Sequence, residues 1–289
     1  MSPIVIIVVI FVLLYLAVLL GAVWVSVHPF RTPLFLAPGS LEAPQEDIEF
    51  TNDQGTTLRG WWMHRENPRG VAILAHGYLM NRSEPTTVAL HLWKRGYACM
   101  LFDFRAHGRS SGERTGFGVH ERRDVEAAIA FAGTREPNAP ILLWGSSMGC
   151  AAIAFAVAEQ PERVRGIIFD SAYSQLISAV NGWWYFVGGR VLAGLLLPVP
   201  LISRLFVPIN PWKVDVAEAV AKIQVPMLFV HGDSDTLALP DQAKRNVAAA
   251  GDRGQIEWFQ GCNHSEARWV YPARYEGLLD KFCDQIERD

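Results

Sequence analysis

A serine between glycines stands where an apolar run of the chain gives way to a segment of small residues. The motif is Gly145-Ser146-Ser147-Met148-Gly149, directly after the apolar residues 141–144. A strand, a sharp turn and a helix in this order raise a serine hydroxyl above a sheet, and the glycines leave room where a Cβ would collide with backbone. The pattern predicts that Ser147 is a nucleophile, and the alternative is a closely packed turn without chemistry.

A serine nucleophile needs a base to take its proton and a carboxylate to orient that base. Both residue types occur downstream, each in a loop after a predicted strand. Asp235 follows the apolar run 226–230, and His264 follows the run 255–259. We therefore predict that Asp235 is the acid and His264 the base.

The chain order Ser, Asp, His and the motifs around these residues resemble the α/β-hydrolase superfamily over about residues 46–285. Within it, the chain is similar to the branch of serine aminopeptidases and monoacylglycerol lipases. That branch also carries a His-Gly pair after an early strand, here His76-Gly77, and a segment like residues 103–110. The resemblance implies an oxyanion hole formed by the backbone N–H groups of Tyr78 and Met148.

Two other carboxylates compete with Asp235 for the role of the acid. The family places its acid at the end of a His-Gly-x-x-Asp pattern, which is Asp235 in this chain. This leaves Asp233 for the turn itself, where Asp side chains accept hydrogen bonds from backbone N–H groups. Asp170, after the predicted strand 164–169, is the runner-up because some relatives place the acid there.

Short apolar runs alternate with helical stretches through most of the chain, which predicts a mostly parallel sheet flanked by helices. Residues 46–50 and 58–63 predict a leading hairpin, which the resemblance places at the antiparallel edge of the sheet. We therefore expect an α/β-hydrolase fold in residues 46–289. The other predicted strands are residues 70–75, 97–102, 140–144, 164–169, 226–230 and 255–259.

Composition excludes several other classes of function. The 289 residues, half of them hydrophobic, suffice for one α/β domain of about 240 residues and an appendage. A net charge of −3 without basic runs predicts no nucleic-acid partner. We expect neither a metal nor a nucleotide cofactor, because the cysteines are scattered and no phosphate-binding motif occurs. The cysteines are Cys99, Cys150, Cys262 and Cys283.

Residues 4–27 carry no charge and are long enough, at about 1.5 Å per residue, to cross a hydrocarbon core of about 30 Å. We predict a transmembrane anchor in residues 1–28, with a cleaved signal peptide as the alternative. Proline-rich residues 29–45 predict a linker. Arg31 slightly favours a cytoplasmic catalytic domain, but the side of the membrane stays open.

Residues 171–213 form a long insertion between predicted elements, where the resemblance implies a lid over the active site. From residue 171 to residue 212 only Arg190 and Arg204 are charged. Such a lid would line an acyl-chain pocket or lie in the bilayer beside the anchor. The alternative is that its aromatic and aliphatic residues simply pack on the sheet.

Together these features predict a membrane-anchored serine hydrolase that cleaves carboxylic esters of lipophilic acyl groups through an acyl-enzyme. The expected partners are a small ester or lipid substrate and the lipid bilayer, with no cofactor. A thioesterase, an acyltransferase or a serine peptidase on the same scaffold remains open. So does a membrane-tethered binding protein without activity, and the oligomeric state is not specified.

Overall fold

The central element of the computed structural model, which describes residues 1–158 and 162–288, is one eight-stranded sheet. Its strands are β1 Glu46–Thr51, β2 Thr57–Met63, β3 Val71–Ala75, β4 Ala98–Phe102, β5 Ile141–Ser146, β6 Val164–Asp170, β7 Met227–Gly232 and β8 Gly254–Phe259. The spatial order is β1-β2-β4-β3-β5-β6-β7-β8. The pairs β1–β2 and β2–β4 are antiparallel and all the others are parallel, so the predicted mostly parallel sheet with a leading hairpin is confirmed.

Helices cover both faces of the sheet. The α-helices of residues 1–158 and 162–288, not all of which pack on the sheet, are α1 Pro3–Val27, α2 Thr86–Lys94, α3 Arg122–Arg135, α4 Met148–Val157, α5 Leu176–Leu195, α6 Val199–Ser203, α7 Val216–Val220, α8 Pro240–Ala250, α9 Ala267–Val270 and α10 Pro272–Ile286. Because parallel strands are covered on both faces, their side chains are apolar almost without interruption. Every residue of β3, β4 and β5 is buried.

Four strands, β1, β5, β6 and β7, continue past the last apolar residue of the predicted runs. Ser146 at the end of β5 pairs with Asp170, and Gly232 at the end of β7 pairs with Phe259. The backbone ladder therefore includes glycine and polar residues that an apolar pattern does not capture. As a result, Ser147 lies immediately beyond β5, at the edge where parallel strands present their carboxyl ends.

Helix α1 is exposed along most of its length. Leu19, Val23 and Val27, spaced four residues apart on one face, are the buried exceptions. Among residues 1–158 and 162–288, α1 is the one helix whose length and mean hydropathy, 3.4 over 18 residues, suffice to cross a membrane. Its length and composition suit both a membrane anchor and a signal sequence.

Residues 171–213 contain α5 and α6. Helix α5 is interrupted at Gly188 and Gly189, and Gly189 has a φ of +67°, in the left-handed region that favours glycine. Leu196 and Val199 pack against Leu19 and Val23 of α1. This insertion therefore contacts the amino-terminal helix.

The proline-rich residues 29–45 run along the surface of the sheet domain and are bonded to it. The guanidinium of Arg31 donates hydrogen bonds to four carbonyl oxygens of one loop. Asn81 donates through its side-chain amide to the carbonyl oxygens of Thr32 and Pro33. The segment thus fixes the position at which α1 meets the domain. The four carbonyl groups belong to His107, Gly108, Ser110 and Gly112.

Candidate active site

Ser147 occupies a strained turn between β5 and α4. Its φ of +49° is rare for a residue with a side chain, and its N–H donates to the carbonyl oxygen of Asp170 at 2.9 Å. A Cβ at Gly145 would lie 2.8 Å from the Cys150 nitrogen, and one at Gly149 would collide with the carbonyl oxygen of Ala75. The flanking glycines are therefore required by close backbone contacts.

The imidazole of His264 lies between Ser147 and Asp235. Its Nε2 is 2.9 Å from Ser147 Oγ, and its Nδ1 is 2.8 Å from Asp235 Oδ2. Because an ionised carboxylate only accepts hydrogen bonds, Nδ1 carries the proton and Nε2 is free to accept the serine hydroxyl. This is the geometry in which a histidine can remove a proton from a serine.

Asp235 is buried, and each of its oxygens has a separate role. Oδ1 accepts the backbone N–H groups of Leu237 and Ala238 at 2.9 and 2.8 Å, while Oδ2 faces His264. The nearby His231 uses Nε2 to donate to the carbonyl oxygen of Ala238 at 2.7 Å, and burial lowers the pKa of His231. The carboxylate is thus oriented by backbone groups.

The two competing carboxylates are bonded elsewhere. Asp233 Oδ1 accepts the N–H of Gly261 at 2.7 Å, which joins the loops after β7 and β8. Asp170 Oδ2 accepts from Arg268 and from the hydroxyl of Tyr275, both at 2.9 Å. Of the three candidates, the structure therefore places Asp235 within hydrogen-bonding distance of His264.

The predicted oxyanion residues lie on either side of Ser147. Met148 is the first residue of α4, so its N–H has no acceptor within the helix and lies at the positive end of the helix dipole. On the other side, a Cβ at Gly77 would be 3.6 Å from Ser147 Cβ, so the loop that carries Tyr78 lies next to Ser147.

His76 and Glu84 hold that loop. The N–H of Gly77 donates to Glu84 Oε2 at 2.6 Å. His76 Nε2 accepts the N–H of Phe104 at 3.0 Å, so its Nδ1 is the protonated nitrogen and donates to the carbonyl oxygen of Gly77 at 2.7 Å. Burial lowers the pKa of His76, which keeps the imidazole neutral in this role.

A buried ion network beneath the site was not predicted from the sequence. Arg268 donates to Glu84 at 2.6 Å and to Asp170 at 2.9 Å. Burial opposes its positive charge, but the two carboxylates outweigh this and raise the pKa of Arg268. The guanidinium thereby connects the loop of residues 77–84 and the end of β6 to α9. The only sequence feature that could have pointed to Arg268 is its position four residues after His264. No sequence motif points to Glu84.

Ser147 and His264 line a cavity of about 400 Å³. Its other walls are mainly apolar and come from residues 171–213, from the end of α1 and from the loops around Ser147. The described residues, 1–158 and 162–288, contain no cluster of His, Cys, Asp or Glu placed to hold a metal ion. The apolar lining residues include Val27, Trp183, Phe186 and Val199.

Known proteins share this architecture. The family model described as serine aminopeptidase, S33, matches residues 66–206, a region that contains Ser147 but ends before Asp235 and His264. The esterase Pf2001 of Pyrococcus furiosus has the same fold, with a TM-score of 0.75 and 23% identity over 90% of this chain and 98% of that one. This chain has the α/β-hydrolase fold and is similar in sequence to the serine aminopeptidase, S33, family model.

Two curated relatives of this α/β-hydrolase are equally distant. A monoacylglycerol lipase of Mycolicibacterium smegmatis is 26% identical over 255 residues, which cover 76% of this chain and 85% of that protein. The uncharacterized protein YfhR of Escherichia coli O157:H7 is 26% identical over 199 residues. That match covers 66% of this chain and 63%, just under two thirds, of the relative.

The predicted superfamily and the hydrolase class are confirmed. The individual roles of Ser147, Asp235, His264, Tyr78 and Met148 stay predictions, as do the substrate and the membrane anchor.

Proposed function

We propose that this α/β-hydrolase is a membrane-anchored serine esterase that acts on esters with lipophilic acyl chains. The observation that carries the proposal is the hydrogen-bonded series Ser147, His264 and Asp235, with distances of 2.9 and 2.8 Å, at an apolar cavity. Nucleophile, base and acid are within the range that proton transfer and orientation need.

The first half of the reaction forms an acyl-enzyme. His264 Nε2 takes the proton of Ser147 as Oγ attacks the ester carbonyl carbon. The backbone N–H groups of Tyr78 and Met148 stabilise the resulting oxyanion. When the tetrahedral intermediate collapses, His264 gives the proton to the leaving oxygen and the alcohol departs.

The second half repeats these steps with water. His264 accepts a proton from a water molecule as that water attacks the acyl carbon. It then returns the proton to Ser147 Oγ as the carboxylic acid leaves. Asp235 remains ionised and holds the imidazole in the tautomer that both halves require.

Three features favour a lipophilic acyl ester. The cavity is lined mainly by apolar side chains, including Trp183 and Phe186. Of the three charged side chains that also line it, Glu84 and Arg268 are paired with each other and Glu266 accepts the backbone N–H of Asn263. A monoacylglycerol lipase and an esterase are among the similar proteins, which fits an acyl group in this cavity.

The proposed anchor would place this cavity near the membrane surface. The first 20 or so residues of α1 would cross a hydrocarbon core of about 30 Å, and its last turn would then lie near the headgroups. Trp24, whose ring stacks on His28 at 3.8 Å, has the aromatic character that suits this depth. Ester bonds of lipids lie close to the same level.

The proposal is tested by hydrolysis with the detergent-solubilised, full-length protein. Oxygen esters, thioesters and amides of one medium-length acyl group are compared, with and without an added alcohol. We expect the ester to be cleaved fastest and the acyl group to pass mainly to water. Preference for the thioester or amide, transfer mainly to the alcohol, or equal rates in Ser147→Ala would contradict the proposal.

A further inference from the structure

The end of the amino-terminal helix is part of the cavity wall. Ser26 and Val27, in the last turn of α1, line the same cavity as Ser147 and His264. The side chain of Val27 is fully buried, whereas Val18 on the same helix is 59% exposed. A helix that only tethered the protein to a membrane would not need to contribute residues to the substrate cavity.

Two hydrogen bonds fix this turn beside the predicted oxyanion residues. The hydroxyl of Tyr78 donates to the carbonyl oxygen of Ser26 at 2.9 Å. The N–H of Thr115 donates to the carbonyl oxygen of Val27 at 2.9 Å, and the Thr115 hydroxyl lies 3.5 Å from Met148 Sδ. The last turn of α1 is therefore bonded directly to Tyr78. It is connected to Met148 through Thr115, which contacts both.

The same helix also supports the opposite wall. The hydroxyl of Tyr15 donates to the carbonyl oxygen of Leu195 at 2.7 Å, and Leu19 and Val23 pack against Leu196 and Val199. Val199 in turn lines the cavity. One face of α1 thus holds the insertion in place with its middle turns and closes the cavity with its last turn.

Val27 is suited to set the size of the cavity. Its side chain is apolar and its backbone bond to Thr115 does not depend on side-chain identity. The neighbouring Ser26 donates its hydroxyl to the carbonyl oxygen of Ala22 at 2.6 Å, so that hydrogen is not available to a ligand. A change in side-chain volume at Val27 would therefore change the space available to an acyl chain and leave the reacting groups in place.

We propose that the last turn of α1 is a wall of the acyl-binding cavity and that Val27 limits the length of the acyl chain presented to Ser147. The inference rests on the proposed esterase function. It makes the amino-terminal helix a determinant of specificity in addition to an anchor.

The test compares Val27→Ala, Val27→Phe and the wild type on esters of one alcohol with short, medium and long acyl chains, in detergent micelles. We expect Val27→Phe to lower kcat/KM for the longest ester by about tenfold relative to the shortest, because it fills the cavity. Val27→Ala should shift the preference towards longer chains. The matched control is Val18→Phe on the exposed face of α1, which should keep the wild-type profile.

The changes in chain-length preference caused by Val27→Ala and by Val27→Phe must have opposite signs. If Val27→Phe does not fold, the direction of the Val27→Ala shift decides. Unchanged profiles in folded, active variants, or the same shift in Val18→Phe, would overturn the role of Val27 and leave the esterase proposal intact. A wild type that cleaves no ester would instead overturn the proposed function, and this inference with it.

Discussion

The loops that carry Ser147, Asp235 and His264 and the insertion of residues 171–213 are stabilised by different forces. Around Ser147, buried charged groups such as Asp235 and Arg268 are fixed by hydrogen bonds between 2.6 and 2.9 Å. Residues 171–213, all within the described part of the chain, contact α1 mainly through aliphatic side chains, and α5 is interrupted at Gly188 and Gly189.

Under the proposed function, the loops would determine the rate of the reaction and the insertion would determine which substrate fits. Hydrogen bonds are directional, so they hold a proton donor and acceptor to within tenths of an ångström, as proton transfer requires. Apolar contacts define a volume but tolerate sliding and repacking. We therefore expect substitutions in the loops to change rates, and substitutions in the insertion and α1 to change which acyl group fits.

The largest effect is expected from Asp235→Asn. An amide at this position can donate to His264 Nδ1 and so favour the wrong tautomer, which should lower kcat by about 10⁴-fold with folding preserved. The measurement is steady-state ester hydrolysis alongside circular dichroism. Asp233→Asn is the matched control, because its bond to Gly261 lies in the turn. A loss in Asp233→Asn as large as that in Asp235→Asn would contradict the assignment of the acid.

Arg268→Met should strongly destabilise the loops. It leaves Glu84 and Asp170 buried without their cation, which typically costs about 3–5 kcal/mol. Denaturant unfolding measures the loss of free energy. Arg245→Met is the control, since its ion pair with Asp215 is at the surface and is expected to cost less than about 1 kcal/mol. Similar losses in both variants would show that burial of the network does not matter.

The buried His107, whose ring lies near that of Tyr78, should make the protein less stable in mild acid. Burial, with His76 and Arg31 nearby, lowers the pKa of His107 to about 3, below the value of about 6.5 for an exposed imidazole. The unfolded chain therefore binds the proton first, and His107 contributes a loss of up to about 1.4 kcal/mol per pH unit as the pH falls below 6.5.

The check is denaturant unfolding of wild type and His107→Gln between pH 7.5 and pH 5.5. The variant should lose less stability as the pH falls, and the two proteins should respond alike above pH 7. Equal slopes throughout the range would mean that His107 does not titrate on unfolding.

The smallest effect is expected in the insertion. A Cβ at Gly189 meets no atom within 4 Å, so Gly189→Ala adds only backbone strain, about 1–3 kcal/mol, because its φ of +67° and ψ of −166° lie in a nearly glycine-only region. We expect hydrolysis of a short ester to change less than twofold, with a larger change for a long ester. Comparing kcat/KM for the two esters checks this, and an equal loss on both would indicate that the insertion supports the chemistry itself.

Most of the fold was predictable because its signals are local. Apolar runs mark the strands, and close backbone contacts explain the glycines around Ser147. The roles of Ser147, Asp235 and His264 were also proposed from motifs, and the structure brings these three side chains together.

The interactions that the sequence did not reveal all join distant parts of the chain. Glu84 and Arg268 are 184 residues apart, and Tyr78 and Ser26 are 52 apart. No spacing rule connects such pairs, because their proximity depends on how the sheet orders its strands. The extension of β5 to Ser146 was missed for a different reason, since ladder hydrogen bonds do not require apolar side chains.

The most direct test of the central claim is labelling of the solubilised protein with a fluorophosphonate, which reacts with an activated serine hydroxyl. Intact mass and peptide sequencing would compare the wild type with Ser147→Ala, His264→Ala and the neighbouring control Ser146→Ala. We predict one label per chain on Ser147, retained in Ser146→Ala and lost in the other two variants. A folded wild type that stays unlabelled, or a label that persists in Ser147→Ala, would contradict the account.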